Sequence, residues 1–117
     1  MRRQVFFKDG DESNPKSLNV IASRFRITSS KACHFALFYV YGLEGKRTKN
    51  LARHSPKVCR NVFLYFEESQ TTAIDELIHR MGISFSELCK RAISTISHMI
   101  ENYKLRMDDP KVLNFFD

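Results

Sequence analysis

The chain repeats one pattern at an interval of 56 residues, and that repeat restricts its folding more than any other feature. The second copy is the clearer. Val62-Phe63-Leu64-Tyr65-Phe66 is a short β-branched and aromatic run, the composition of a strand. After Glu67-Glu68-Ser69-Gln70, the residues Ile74, Leu77, Ile78 and Met81 recur at the spacing of one helix face. The acids stand at the N-terminal end of that helix, where the macrodipole favours them. Gly82 is placed to end the helix in a left-handed turn. Ser84-Phe85-Ser86-Glu87 then has the form of a capping box, with Ser84 as N-cap. Leu88, Cys89, Ala92, Ile93 and Ile96 continue a buried face to about Tyr103.

The first copy follows the same plan with different letters. Leu18, Ile21, Ala22 and Phe25 match Ile74, Leu77, Ile78 and Met81, while Arg24 matches Arg80. Ile27, Ser30, Cys33 and Ala36 match Ile83, Ser86, Cys89 and Ala92. Val5-Phe6-Phe7 supplies the strand, and the connection Asp9 to Pro15 accommodates one extra residue. Thr28 takes the place of the capping serine. Arg26 replaces the turn glycine, at a cost of about 1 kcal/mol if that residue is left-handed. Lys31 replaces the capping-box acid.

Strand, helix, glycine turn, Ser-x-Ser-Glu-Leu and helix, over Asn61 to Tyr103, resemble the ribbon-helix-helix superfamily of MetJ-, Arc- and CopG-like DNA-binding proteins. The tandem layout is similar to TraY-type conjugation accessory proteins. The resemblance implies an α+β, mostly helical protein. Two ribbon-helix-helix units in one chain would form a pseudo-twofold intramolecular dimer, with a two-stranded antiparallel ribbon and four core helices. Residues 1–42 would be the first unit, 43–60 a basic linker, 61–103 the second unit and 104–117 a C-terminal tail. A lone strand leaves backbone groups unpaired on both edges, so the two copies are expected to pair.

The resemblance also implies a site. The ribbon would enter the DNA major groove, with its outer face reading bases. Strand alternation assigns Val62, Leu64, Phe66, Val5 and Phe7 to the core. Gln4, Phe6, Lys8, Asn61, Phe63 and Tyr65 are left outward to read bases. Phe6 and Phe63 would then face each other at the centre; the other reading is a shifted register that makes both rings partly core. An outer set that differs between the strands predicts a non-palindromic DNA site. Phosphates would be held at the second-helix N-termini, by Thr28, Ser29, Ser30 and Lys31 and by Ser84, Phe85 and Ser86. Arg2, Arg3, Lys57 and Arg60 precede the strands and would add phosphate contacts.

Charge fits a polyanionic partner. The net charge is +6 and the sequence pI is near 9.4. Six basic residues against one acid fall between Leu43 and Arg60, a segment without apolar periodicity. It reads either as a solvated linker or as an arm lying along phosphates. No apolar run approaches the roughly 20 residues that span a bilayer, so no membrane role is expected. The N-terminus lacks a signal-peptide pattern and the three cysteines form no CxxC pair, so a reducing, cytoplasmic location is expected. His34, His54, His79 and His98 lack ligand spacing, and Cys33 and Cys89 read as packing residues, so neither metal nor cofactor is expected. No nucleophile-base-acid set or glycine-rich phosphate loop is present, which argues against an enzyme.

The run Phe35 to Tyr41 is apolar nearly all round, as in a central helix. The tail, with Val112-Leu113-Asn114-Phe115-Phe116, either packs on it, or the tail or that Phe35–Tyr41 helix offers a surface for a second copy or a protein partner. The expected function is sequence-preferring binding of double-stranded DNA by a monomer that behaves as a dimer. It would serve as a transcriptional repressor or as an accessory factor of a DNA-processing complex such as a conjugative relaxosome. The alternative is an antitoxin-like protein-interaction module whose DNA binding is secondary or lost.

Overall fold

The structure is a computed structural model and describes residues 2–6, 13–43 and 61–116. In chain order these form β1 (Arg2–Phe6), α1 (Ser13–Phe25), α2 (Ser29–Tyr41), β2 (Asn61–Tyr65), α3 (Glu68–Met81), α4 (Phe85–Glu101) and α5 (Pro110–Phe116).

The repeat is plainest in the local structure between helices. Thr28 Oγ1 accepts the amide of Lys31 at 3.2 Å, and Ser84 Oγ accepts that of Glu87 at 3.1 Å. Both cap residues have the extended backbone that an N-cap requires. The second half of the capping box does not form: the Glu87 carboxylate turns to Arg91, 3.4 Å away on the next turn. Ahead of each cap the chain leaves its helix through a left-handed residue, Arg26 at φ 55° and Gly82 at φ 65°. The following amide then returns to a helix carbonyl, Ile27 to Ala22 at 3.0 Å and Ile83 to Ile78 at 3.3 Å. These bonds satisfy carbonyls that a helix end would otherwise leave open.

The core is built around α2 and α4. Ala32, Cys33, Phe35, Ala36 and Leu37 from α2 meet Leu88, Cys89, Ala92, Ile93 and Ile96 from α4, all fully buried. Leu18, Ile21 and Ala22 of α1 pack against this pair. Leu64 and Phe66 complete it from β2 and the residue after it. Burying each large side chain of this set contributes about 1.5–3 kcal/mol. The apolar character of the Phe35 to Tyr41 run is thereby explained, because α2 touches α1, α4, β2 and α5.

The expected fold class needs correction. The chain does not form two equivalent units around four core helices; it is a five-helix protein whose two halves pack differently. α1 lies against both α2 and α4, whereas α3, its counterpart, lies against α4 alone among the described elements. Only Ile74 of α3 is buried, and Leu77, Ile78 and Met81 stay half-buried where the matching face of α1 is largely sealed. An open groove of about 580 Å³ runs along α4, bordered by Glu87, Arg91 and Thr95, with Tyr41 and the last residue of α3, Met81, at its edge. On the other side α5 takes space that a twofold arrangement has no use for. Its Phe115 and Phe116 enter an aromatic cluster with Phe25, Phe35 and Phe38, with ring centroids 5.1–5.6 Å apart. Tyr39 donates its hydroxyl hydrogen to Asp109 at 2.7 Å and secures the entry to α5. The tail therefore packs on α2. A pseudo-twofold needs both outer helices in one environment, and among the described residues the Phe25–Phe35–Phe38–Phe115–Phe116 cluster stands on the α1 side.

Candidate nucleic-acid interface

β1 and β2 pair antiparallel over five residues each. Val5 lies opposite Val62, the pair at which corresponding residues of the two copies meet. This register sets Gln4 across from Phe63 and Phe6 across from Asn61. The expected facing of Phe6 and Phe63 is corrected accordingly: when Val5 meets Val62, antiparallel pairing displaces the two phenylalanines to opposite ends of the centre. Arg2 lies opposite Tyr65 and Arg3 opposite Leu64. Of the residues expected to read bases, Gln4, Phe6, Asn61, Phe63 and Tyr65 are thus brought to one strand pair. Lys8, and the expected phosphate contacts Lys57 and Arg60, lie outside the described residues.

The two expected phosphate sites differ chemically. At the start of α2, Thr28 is the cap and Lys31 stands in the first turn, its ammonium 5.7 Å from the centre of the Phe116 ring. Such a contact orients the lysine stem while leaving the charge intact. At the start of α4 the matching position is Glu87, whose carboxylate opposes an anion. The Phe85 ring packs edge-on to Phe66 at 5.9 Å, so this side chain serves the core and the residue has only its backbone to offer a phosphate. Ser29 and Ser30 stay half-buried beside Thr28, as does Ser86 two residues beyond Ser84.

Arg24 and Arg26 were not among the expected contacts, and both are exposed immediately ahead of the α2 N-terminus. Arg26 stands two residues before the Thr28 cap and Lys31 three residues after it, while Arg24 belongs to the last turn of α1. The signal was legible as Arg24-Phe25-Arg26, two residues from the cap.

His34 and the two described cysteines lie toward the interior. Burial holds the His34 imidazole down to about 4 from its usual 6.5, and its ring meets Phe66 edge-on at 5.0 Å. Burial pushes the Cys89 thiol up, with Cys33 adding to the shift. Thiols held protonated in this way are poor nucleophiles. Among the described residues no three His, Cys, Asp or Glu side chains are grouped to hold a metal ion, and no helix is long and apolar enough to cross a membrane. The sequence matches no known family pattern, no characterised protein and no solved structure.

Proposed function

We propose that this protein binds double-stranded DNA with sequence preference. The observation that carries the reading is the exposed Arg26 and the Lys31 of the first turn on either side of the capped N-terminus of α2, with Arg24 exposed at the end of α1, on a chain of net charge +6. Cations of this kind neutralise phosphates and set the register of a protein on the duplex. The β1–β2 pair suits the width of the major groove, and its Gln4 and Asn61 have the donor and acceptor set that pairs with adenine. The half of the contact near α2 is the stronger, since Glu87 takes the place of Lys31 at the start of α4. An asymmetric contact reads a non-palindromic site. Repression of transcription and marking of DNA for a larger processing complex both employ such a contact.

Selection from a random duplex library, followed by titration of the winning sequence across salt concentrations, tests this reading. A short asymmetric motif bound about a thousandfold or more tighter than random duplex is the expected result. Uniform binding that only fades with salt, or no binding, overturns it.

A further inference from the structure

α5 runs back along α2. Asp109, just ahead of α5, accepts the Tyr39 hydroxyl at 2.7 Å, and Lys111 sets its ammonium 5.1 Å from the centre of the Tyr39 ring. At the other end Phe116, the last residue of α5, has its ring centre 5.7 Å from the Lys31 ammonium in the first turn of α2. The two helices are thus joined by a lysine–aromatic contact at each end, with the ring on α2 at one and on α5 at the other. Both distances are within the reach of a cation–π contact. The Phe116 ring is itself fixed from three elements. It stacks on Phe25 of α1 at 5.1 Å, tilts against Phe35 of α2 at 5.4 Å and meets Phe115 of its own helix edge-on at 5.0 Å.

We infer that docking of α5 controls the DNA contact through Phe116, which acts as the positioning residue for Lys31. This role presupposes the proposed function, in which the Lys31 ammonium neutralises a phosphate. An unrestrained lysine side chain has many rotamers, and ordering it on a phosphate opposes binding. Half-buried and held against a fixed ring, Lys31 has given up much of that freedom before DNA arrives. The ring leaves the charge available, which a carboxylate in its place would not. The other copy lacks this arrangement, because Glu87 takes the matching position and its carboxylate turns to Arg91. A lifted α5 therefore frees Lys31 and weakens the DNA contact with no change in the residues that touch DNA.

The test is binding of a random-sequence duplex by the full chain and by Phe116→Leu, Phe116→Tyr, Lys31→Ala and the double variant Phe116→Leu with Lys31→Ala. The proton resonance of the Lys31 ε-methylene is recorded beside it on the DNA-free chain. That resonance is expected upfield of its ordinary position in the parent and in Phe116→Tyr, which keeps the ring, and back at that position in Phe116→Leu. Phe116→Leu is expected to raise the dissociation constant roughly two- to tenfold, the cost of ordering one freed lysine. Phe116→Tyr should bind as the parent does, and Phe116→Leu should add no loss once Lys31 is alanine. An equal loss from Phe116→Leu with and without Lys31 overturns the positioning role, since general loosening of the fold acts in that way. Parental affinity in Phe116→Leu beside weakened binding in Lys31→Ala overturns it too, as does a Lys31 resonance indifferent to the ring. Unchanged binding in Lys31→Ala, or no binding by the parent, overturns the phosphate contact of Lys31 and the positioning role with it.

Discussion

Arg26 and Gly82, 56 residues apart, adopt one and the same left-handed turn, with φ of 55° and 65°. The conformation belongs to the turn and not to the residue, because one position carries the longest basic side chain and the other carries none. A Cβ built at Gly82 meets no atom within 4 Å, so backbone conformation alone decides what a substitution does there. Gly82→Ala is expected to lower stability by about 1 kcal/mol, and Arg26→Gly to raise it by up to about 1 kcal/mol. Urea midpoints of the two variants, measured against the parent, check both signs.

The caps make a second pair. Thr28→Ala and Ser84→Ala each remove the acceptor of one helix-start amide and should cost about 1 kcal/mol apiece. The two sites share no partner, so the double variant is expected to lose the sum within about 0.5 kcal/mol. Chemical denaturation of both single variants and the double reads this directly.

His34 gives the fold a dependence on pH. Its imidazole is neutral in the folded state down to about 4, whereas in the unfolded chain it takes a proton near 6.5. Between those values the unfolded state binds more protons, so stability falls as the pH drops from 6.5 toward 4. The full effect is on the order of 3 kcal/mol. His34→Leu should flatten that part of the profile, as read by urea midpoints at pH 7, 5.5 and 4.5.

The docking of α5 rests on Phe35, fully buried at the centre of the aromatic cluster, and on the Tyr39–Asp109 hydrogen bond. Phe35→Ala should cost about 3–5 kcal/mol through the cavity it leaves. Tyr39→Phe keeps the ring and removes one bond to a solvent-exposed carboxylate, with a smaller expected loss than that of Phe35→Ala. Amide exchange within Pro110–Phe116 should accelerate in both variants before that of α4 does.

If the α2 N-terminus lies on phosphate, Lys31→Ala weakens binding to all duplex sequences alike and lowers the salt slope by about 1. Glu87→Gln, at the matching position of the other copy, should strengthen binding by removing a like charge. A salt titration of both variants with one duplex distinguishes them.

Much of the local structure follows from residues close in sequence. The helix after Gly82 starts at Phe85 because Ser84 can cap it, and α3 stops at Met81 because glycine follows. The burial of Leu64 and Phe66 follows from strand alternation, and that of Cys33 and Cys89 from helix spacing. At the candidate interface Thr28, Lys31 and Ser84 were legible for the same reason. Arg24 and Arg26 were equally visible in the sequence, but that both are exposed ahead of the capped start of α2 was settled only by the fold.

What the sequence by itself determined is the repeated unit: its helices, caps and left-handed turns, each set by interactions spanning a few residues. Tertiary structure alone decided how the two units meet. The register that brings Val5 to Val62 joins segments nearly sixty residues apart, and neither strand contains the information that selects it. The loss of symmetry has the same origin. α1 and α3 have similar apolar stripes, yet α1 is sealed between α2 and α4 while α3, among the described elements, has only α4. Hydrophobic burial has no direction, so a stripe specifies that a face be covered and not by what. The phenylalanines of α5 claim one flank of α2, and that competition for shared surface exists only once the chain is folded.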